Sequence, residues 1–297
     1  MKPIVYVIVG ATATGKTKLA IDIAKALNGE IISADSMQVY REMNIGTAKP
    51  TACEMNGVAH YMIDICDPDY SYSVGEYQTR ALECINDVLS KNKVPIVAGG
   101  SGLYINALTY NLNFIEIPAN SEFRQSLEDK TDEELHHLLN LQDYKAAKRI
   151  HPKNRKRVIR ALELIKFGKP DSYNFNRQNN DYEFKILGLQ YPRNILYQRI
   201  NHRVDKMIDE GLETEARSLF DKYGNTPTAF QGIGYKEFIA YFEKEYNKDF
   251  AIDKIKQHSR NLAKRQSTWF KRDNRINWYN INGIYNYNDY ILENLKI

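Results

Sequence analysis

The feature that most constrains this chain is Gly10-Ala11-Thr12-Ala13-Thr14-Gly15-Lys16-Thr17, set directly behind the apolar run Ile4-Val5-Tyr6-Val7-Ile8-Val9. The order predicts a strand, a tight loop and a helix, and the residues match the phosphate-binding pattern G-x-x-x-x-G-K-[ST]. Its glycines let successive backbone N–H groups turn onto a phosphate, while the next helix aims its positive end at the same place. Lys16 is placed to reach the outer phosphate oxygens and Thr17 to offer a hydroxyl to Mg²⁺. An α/β fold with a parallel-sheet core follows from this strand–loop–helix start. Whether the phosphate belongs to a nucleotide stays open at this point.

With 297 residues, 43% hydrophobic and 26% charged, the chain has room for one large α/β domain and a smaller one. A net charge of +4 is too small to identify a nucleic-acid partner, so the location of the charge has to decide. Cys53, Cys66 and Cys84 form no C-x-x-C pair and read as buried, reduced thiols, not as zinc ligands or a disulfide framework. The apolar N-terminus runs into the phosphate loop instead of a cleavage site, and no later segment approaches membrane-spanning length. A cytoplasmic protein without membrane association is expected.

Further along, Leu19, Ala20, Ile23, Ala24 and Leu27 recur at helical spacing, and Asn28-Gly29 stops that helix. A strand over 30–34 then ends on Asp35-Ser36-Met37-Gln38-Val39-Tyr40, polar groups at the carboxyl end of a strand, where open α/β sheets hold their ligands. An Asp there serves equally well as a simple cap for a following helix. Residues 60–65 read as a third strand and 74–89 as a helix. The buried strand 94–98 ends in Gly99-Gly100-Ser101-Gly102-Leu103-Tyr104, where a phosphate-loop NTPase carries a Mg²⁺-holding acid. Glycines there speak for a closely approaching substrate and against ordinary NTP hydrolysis.

Between 113 and 182 the strand pattern gives way to helices at 121–127, 131–141, 144–150 and 154–167, the second opened by a Thr131 to Glu134 capping box. This predicts a mostly helical insertion domain within a core of 1–112 plus 183–297. From Lys145 to Arg160 stand Lys145, Lys148, Arg149, Lys153, Arg155, Lys156, Arg157 and Arg160, with no Asp or Glu. Such a run favours a polyanionic partner over a merely solvated basic face. Val158, Ala161, Leu162 and Ile165 share one helical face, leaving Lys156 and Arg160 off it. A polar, Asn-rich loop spans 171–181, a strand 184–189, and a helix 194–210 that turns Ile200, Val204, Met207 and Ile208 inward. Arg199, Arg203 and Lys206 lie on its adjacent face, with guanidinium groups spaced for phosphate capture. Thr226-Pro227 breaks the chain before Gln231-Gly232-Ile233-Gly234-Tyr235-Lys236. A last helix over 252–271 carries Lys254, Lys256, Arg260, Lys264, Arg265, Lys271 and Arg272 against Asp253, with Trp269 and Phe270 as core residues. The tail from 280 shows no readable role.

Together with Gly46-Thr47-Ala48-Lys49-Pro50, His151-Pro152, residues 157–163 and Ala263-Lys264-Arg265-Gln266 with Thr268-Trp269, these motifs closely resemble the bacterial tRNA dimethylallyltransferase family, from about residue 4 to 278 and in family order. Ser101 stands where the family more usually has Thr, which keeps the hydroxyl. Cysteines for the zinc finger that eukaryotic members add at the C-terminus are missing. The resemblance implies transfer of a dimethylallyl group from dimethylallyl diphosphate to N6 of adenosine 37 in tRNA. Diphosphate, not ATP, then occupies the Gly10 to Thr17 loop, with Mg²⁺ as cofactor. By the same resemblance Asp35 orients N6 and accepts its proton, Ser101 lies near the adenine and Arg203 on the diphosphate. Implied tRNA contacts are Asp35, Ser36, Met37, Gln38, Ser101, Arg124, Lys156, Arg157, Val158, Ile159 and Arg160, with Gln231, Gly232, Ile233, Gly234, Tyr235 and Lys236. The target base has to be flipped out of the anticodon loop, and the basic insertion and C-terminal helix would supply phosphate contacts. The expected partners are tRNA and dimethylallyl diphosphate, the expected state a monomer. A transferase acting on free adenine nucleotides, a phosphate-loop small-molecule kinase and a non-enzymatic RNA-binding module are the rival readings.

Overall fold

In the computed structural model of the chain, residues 2–110, 112, 120–168, 178–225, 228–281 and 291–293 are described. Strand β1 (Ile4–Gly10) sends Val5, Val7 and Val9 into one apolar cluster and Tyr6 and Ile8 into another. Burial on both faces is the mark of a central parallel strand covered by helices on either side. The chain continues through α1 (Lys16–Ala26), β2 (Gly29–Ser33), α2 (Ala52–Met55), β3 (His60–Tyr61), α3 (Val74–Ser90), β4 (Val94–Gly99) and α4 (Gly102–Thr109). Next come α5 (Ser121–Gln125), α6 (Asp132–Gln142), α7 (Tyr144–Arg149) and α8 (Arg155–Phe167). Then follow β5 (Glu183–Gln190), α9 (Arg193–Asp209), α10 (Leu212–Tyr223), a 3₁₀ turn (Thr228–Gln231), α11 (Tyr235–Phe242), α12 (Lys248–Phe270) and β6 (Asn277–Asn280).

Among the described residues six strands form one parallel sheet in the order β3-β2-β4-β1-β5-β6. Residues of α3 and α4 cover one face, with Phe270 from the end of α12, and α1 covers the other. A third apolar body gathers α9 to α12 around Val39, Tyr40, Met43 and Phe230. The chain divides into two compact units, Met1–Thr109 with Asn179–Ile297, and Tyr110–Gln178; the sequence pattern puts the insertion at 113–182. Among the described residues no helix is long and apolar enough to cross a membrane.

The second unit is built from α5 to α8 around Leu127, Leu135, Leu139, Val158 and Leu162. Its Thr131 to Glu134 capping box is formed in both directions, with Glu134 N–H donating to Thr131 Oγ1 and Thr131 N–H to the Glu134 carboxylate. The basic run is less unopposed than its residues indicate. Arg155 is tied to Asp132 and to the carbonyls of Leu127, Glu128 and Lys130, and Arg160 to Glu163. Charges distant in sequence answer it, because the helices fold back on one another.

Several expectations need correction. The strand over 60–65 stops at Tyr61, because Met62 and Asp64 take left-handed backbone angles and the N–H groups of Asp64 and Ile65 bond to Gln38 and Val39 instead of the sheet. No helix follows Asp35; residues 36–39 form turns. Cys53 is exposed and Cys84 half-buried; Cys66 alone of the three is fully buried. Helix α12 begins at Lys248, so Asp249 adds a second acid to it, and Lys256 pairs with Asp205 of α9. Helices α2, α4, α10 and α11 and strand β6 carry no expectation from the sequence. Most of the Asn-rich loop (171–177), the Thr226-Pro227 break and nearly all of the tail beyond 281 lie outside the described residues.

Candidate active site

Three loops at the carboxyl ends of β1, β2 and β4 bound one cavity, which is where a parallel sheet presents its ligands. From β1 comes the phosphate loop, with Thr12, Lys16 and Thr17 on the cavity wall; from β2 come Asp35, Met37 and Gln38; from β4 come Gly99 and Gly100. The lining is completed by Gly46, Thr47 and Ala48, by Ile200, Arg203, Val204 and Met207 of α9, by the Gly232-Ile233 segment and Tyr235, and by an inward stripe of α12. That stripe is Ile255, Ser259, Leu262 and Gln266, spaced as one helical face.

The phosphate loop is closed from inside and held from outside. Thr14 Oγ1 donates to Ala11 O at 2.8 Å, and Gly15 caps α1 with φ 90°, a left-handed angle that favours glycine. Two arginines one turn apart on α9 hold the loop: Arg199 Nε donates to Ala13 O at 2.9 Å and Arg203 Nη1 to Thr12 Oγ1 at 3.2 Å. Gln266 bridges two loops, accepting from Thr12 N–H at 2.8 Å and donating to Gly100 O at 3.1 Å. Lys16 Nζ donates to Ala11 O at 2.8 Å. Burial first, then the Arg203 guanidinium, lowers the Lys16 ammonium to about 8, and the Asp35 carboxylate works in the other direction. Arg203 too is pushed below its ordinary range by burial, against the pull of Asp35. Two cations and one carboxylate thus face a single space, an arrangement suited to a polyanion whose charge grows beside a proton acceptor.

Asp35 Oδ1 accepts from Met37 N–H at 2.9 Å, so it does cap, though it caps a turn. Gln38 lies between two walls, accepting from Ser33 Oγ at 3.0 Å and donating to Ala48 O at 3.2 Å. Gly99 admits no side chain: a Cβ there would lie 2.1 Å from Ala34 O. This close approach of β4 to β2 explains why glycine stands where many phosphate-loop enzymes keep an acid. Ser101 is bonded to the neighbour of Asp35: its Oγ accepts from Ser36 N–H at 3.0 Å and donates to Ser36 Oγ at 3.2 Å, which steadies the Asp35 turn.

The remaining expected contacts sort by burial. Gly232, Ile233 and Tyr235 line the cavity, Gln231 is exposed, and Lys236 is half-buried beside Glu237. Tyr235 is buried, with its hydroxyl donated to Glu215 at 2.7 Å, and Gly234 N–H donates to Glu237 at 2.7 Å. In the second unit Lys156 and Arg157 are exposed and Ile159 is half-buried. Val158 is 0% exposed within the apolar cluster, which rules out a side-chain contact with RNA. Arg124 and Arg160 both turn to Glu163. Sequence reasoning gave no role to Glu215, and noticed Gln266 only within a motif. The 255, 259, 262, 266 spacing was the available signal for Gln266.

For a divalent ion the candidate donors are the Thr17 hydroxyl and, across the cavity, Asp35. Among the described residues no group of three His, Cys, Asp or Glu side chains gathers to hold a metal. Such a sparse, all-oxygen donor set suits Mg²⁺, which keeps much of its water shell and takes substrate phosphates as ligands.

The IPP transferase family model matches residues 38–273. The tRNA dimethylallyltransferase of Thermoanaerobacter sp. (strain X514) is 46% identical over 296 residues, covering 96% of this chain and 94% of that protein. The crystal structure of the tRNA delta(2)-isopentenylpyrophosphate transferase of Staphylococcus epidermidis is similar with a TM-score of 0.75 and 42% identity over 99% of each chain. A eukaryotic dimethylallyltransferase captured in crystallographic snapshots acting on tRNA has a TM-score of 0.77 and 31% identity, covering 90% of this chain and 70% of that one. With a phosphate loop facing a strand-end carboxylate, and likeness of this extent, the chain belongs to the IPP transferase family.

Proposed function

We propose that the protein transfers a dimethylallyl group from dimethylallyl diphosphate to N6 of adenosine 37 in tRNA, releasing diphosphate. The reading is carried by one observation: Lys16, Arg203 and Asp35 line the same cavity, two cations to receive a leaving anion and a carboxylate to receive a proton. In the reaction the allylic C–O bond to diphosphate breaks, the N6–C bond forms, and the N6 proton passes to Asp35. Because the N6 lone pair is delocalised into the ring, a positioned carboxylate is needed to orient the amine and take its proton. Phosphate-loop N–H groups, Lys16 and Arg203 stabilise the negative charge that grows on the diphosphate. Thr17 would hold Mg²⁺ through its hydroxyl, and the ion would supply neutralising charge to the leaving group. The names of the relatives support tRNA as acceptor, and a tRNA substrate fits a cytoplasmic protein. Exposed Lys156 and Arg157 in one unit, and Lys264 and Arg265 in the other, supply cations for its phosphates.

A small-molecule kinase of the same loop class fits less well, since Gly99 stands against Ala34 where such an enzyme keeps its metal-holding acid. Labelled dimethylallyl diphosphate offered with tRNA, AMP or ATP separates the readings. Label should enter tRNA alone. Label in AMP or ATP would move the assignment to free nucleotides, and tRNA-stimulated ATP hydrolysis without label transfer would overturn it.

A further inference from the structure

Behind the Gly46 and Tyr235 part of the cavity lining, one carboxylate collects four donors. Glu215 of α10 accepts from the backbone N–H groups of Asn44 at 2.9 Å, Ile45 at 2.8 Å and Gly46 at 3.0 Å, and from the Tyr235 hydroxyl at 2.7 Å. Three consecutive N–H groups turned the same way find no such acceptor in their own loop, and an ionised acceptor makes each bond stronger than a neutral one would. The consequence is a fixed wall. Gly46 is drawn so close to Tyr235 that a Cβ would lie 2.6 Å from the ring, and Gly46, Thr47 and Ala48 line the cavity. From the wall the linkage runs on to the turn that carries Asp35. Gln38 Nε2 donates to Ala48 O at 3.2 Å, Gln38 Oε1 accepts from Ser33 Oγ, and Met37 N–H closes the turn on Asp35.

We propose that Glu215 is a positioning residue for the transfer reaction, fixing the Gly46 to Ala48 wall and through Gln38 the Asp35 turn, without touching either substrate. The inference rests on the transferase reading above. It separates Glu215 from the phosphate loop, which Arg199, Arg203 and Gln266 hold independently. Glu215→Gln keeps the size but places an amide NH₂ among four donors. In this variant, single-turnover transfer with both substrates saturating should fall about tenfold or more, as expected when a reacting geometry is loosened. The affinities for dimethylallyl diphosphate and tRNA should stay at their wild-type values. Tyr235→Phe, which removes one donor of the four and leaves the ring against Gly46, should lower the single-turnover rate by less while leaving dimethylallyl diphosphate affinity unchanged, and it decides the matter if Glu215→Gln does not fold.

An unchanged single-turnover rate in a folded variant overturns the inference. So does a parallel fall of rate, diphosphate affinity and Tm, which would make Glu215 a general support of the fold. Wild-type protein that transfers no label to tRNA would instead sink the functional reading itself, so the two failures are distinguishable.

Discussion

Asp35 uses Oδ1 to hold its own turn through Met37 N–H, and among the described residues its Oδ2 has no hydrogen-bond partner, while the carboxylate feels the Lys16 and Arg203 cations. In the proposed mechanism the cap and the proton transfer would use different oxygens of one carboxylate, and Asp35→Asn separates them. Asparagine accepts the Met37 N–H as well as aspartate does, so Tm and both substrate affinities should change little. It cannot take a proton from N6, and single-turnover transfer measured by rapid quench should drop by roughly a hundredfold, the ordinary worth of a positioned acid or base. A full-rate Asn variant would leave the reaction without its base and end the mechanism proposed for this site. At this scale local patterns announce the charged groups that line the cavity, since Lys16, Asp35 and Arg203 each sit in one. They are a poor guide to groups that act by holding other groups. Glu215 reaches Asn44 across 171 residues and Gln266 reaches Thr12 across 254, and no local spacing encodes such partners.

Helices were legible where their own residues specify them. The capping box at Thr131 and the apolar stripe of α8 are local signals, and both helices appear within a residue or two of the expected bounds. Helices α10 and α11 were missed because their burial is defined by each other and by α12, in an apolar body that exists only once the chain has folded. Charge follows the same rule. Glu163 sits on α8 with a fully buried side chain and accepts from Asn120 N–H at 2.7 Å, Arg124 Nη2 at 2.9 Å and Arg160 Nη1 at 2.6 Å, tying α5 to α8. Burial alone would raise this carboxyl, but the two guanidinium groups and the backbone N–H outweigh it and hold it at about 2, below the ordinary 4.5. With the folded value depressed, the stabilisation is complete above about 4.5 and drains away as pH falls towards 2. Glu163→Gln should accordingly cost on the order of 3 kcal/mol at pH 7, where two cations lose their counter-charge. The gap between variant and wild type should close on acidification through this window. Thermal melts followed by circular dichroism from pH 7 to pH 3 measure it; a gap independent of pH would show that packing, not charge, is what Glu163 contributes.

Over the whole molecule a net charge of +4 conceals an uneven distribution, and folding decides which cations remain available. Arg155 and Arg160 are engaged inside the second unit, and Lys256 and Arg260 are engaged between α12 and α9. Lys156 and Arg157 are exposed, with no protein partner among the described residues, and so are Lys264 and Arg265 on α12. Binding of tRNA should draw on the second set, because a guanidinium already paired with a buried carboxylate must give up that bond before it meets a phosphate. Charge reversal at Lys156 and Arg157 together should weaken tRNA binding and flatten its dependence on salt, by about 0.7 to 0.9 in the slope of log K against log salt for each phosphate no longer neutralised. Affinity for dimethylallyl diphosphate should not move, since the phosphate loop and its arginines belong to the other unit. Arg160→Glu should behave differently, lowering the thermal stability of the folded protein by setting a second carboxylate against Glu163. Filter binding of tRNA over a salt series, with thermal melts of each variant, distinguishes the two. If the Lys156 and Arg157 reversals leave the slope unchanged, the insertion does not carry the phosphate contacts, and α12 with its exposed Lys264 and Arg265 becomes the surface on which tRNA binding must rest.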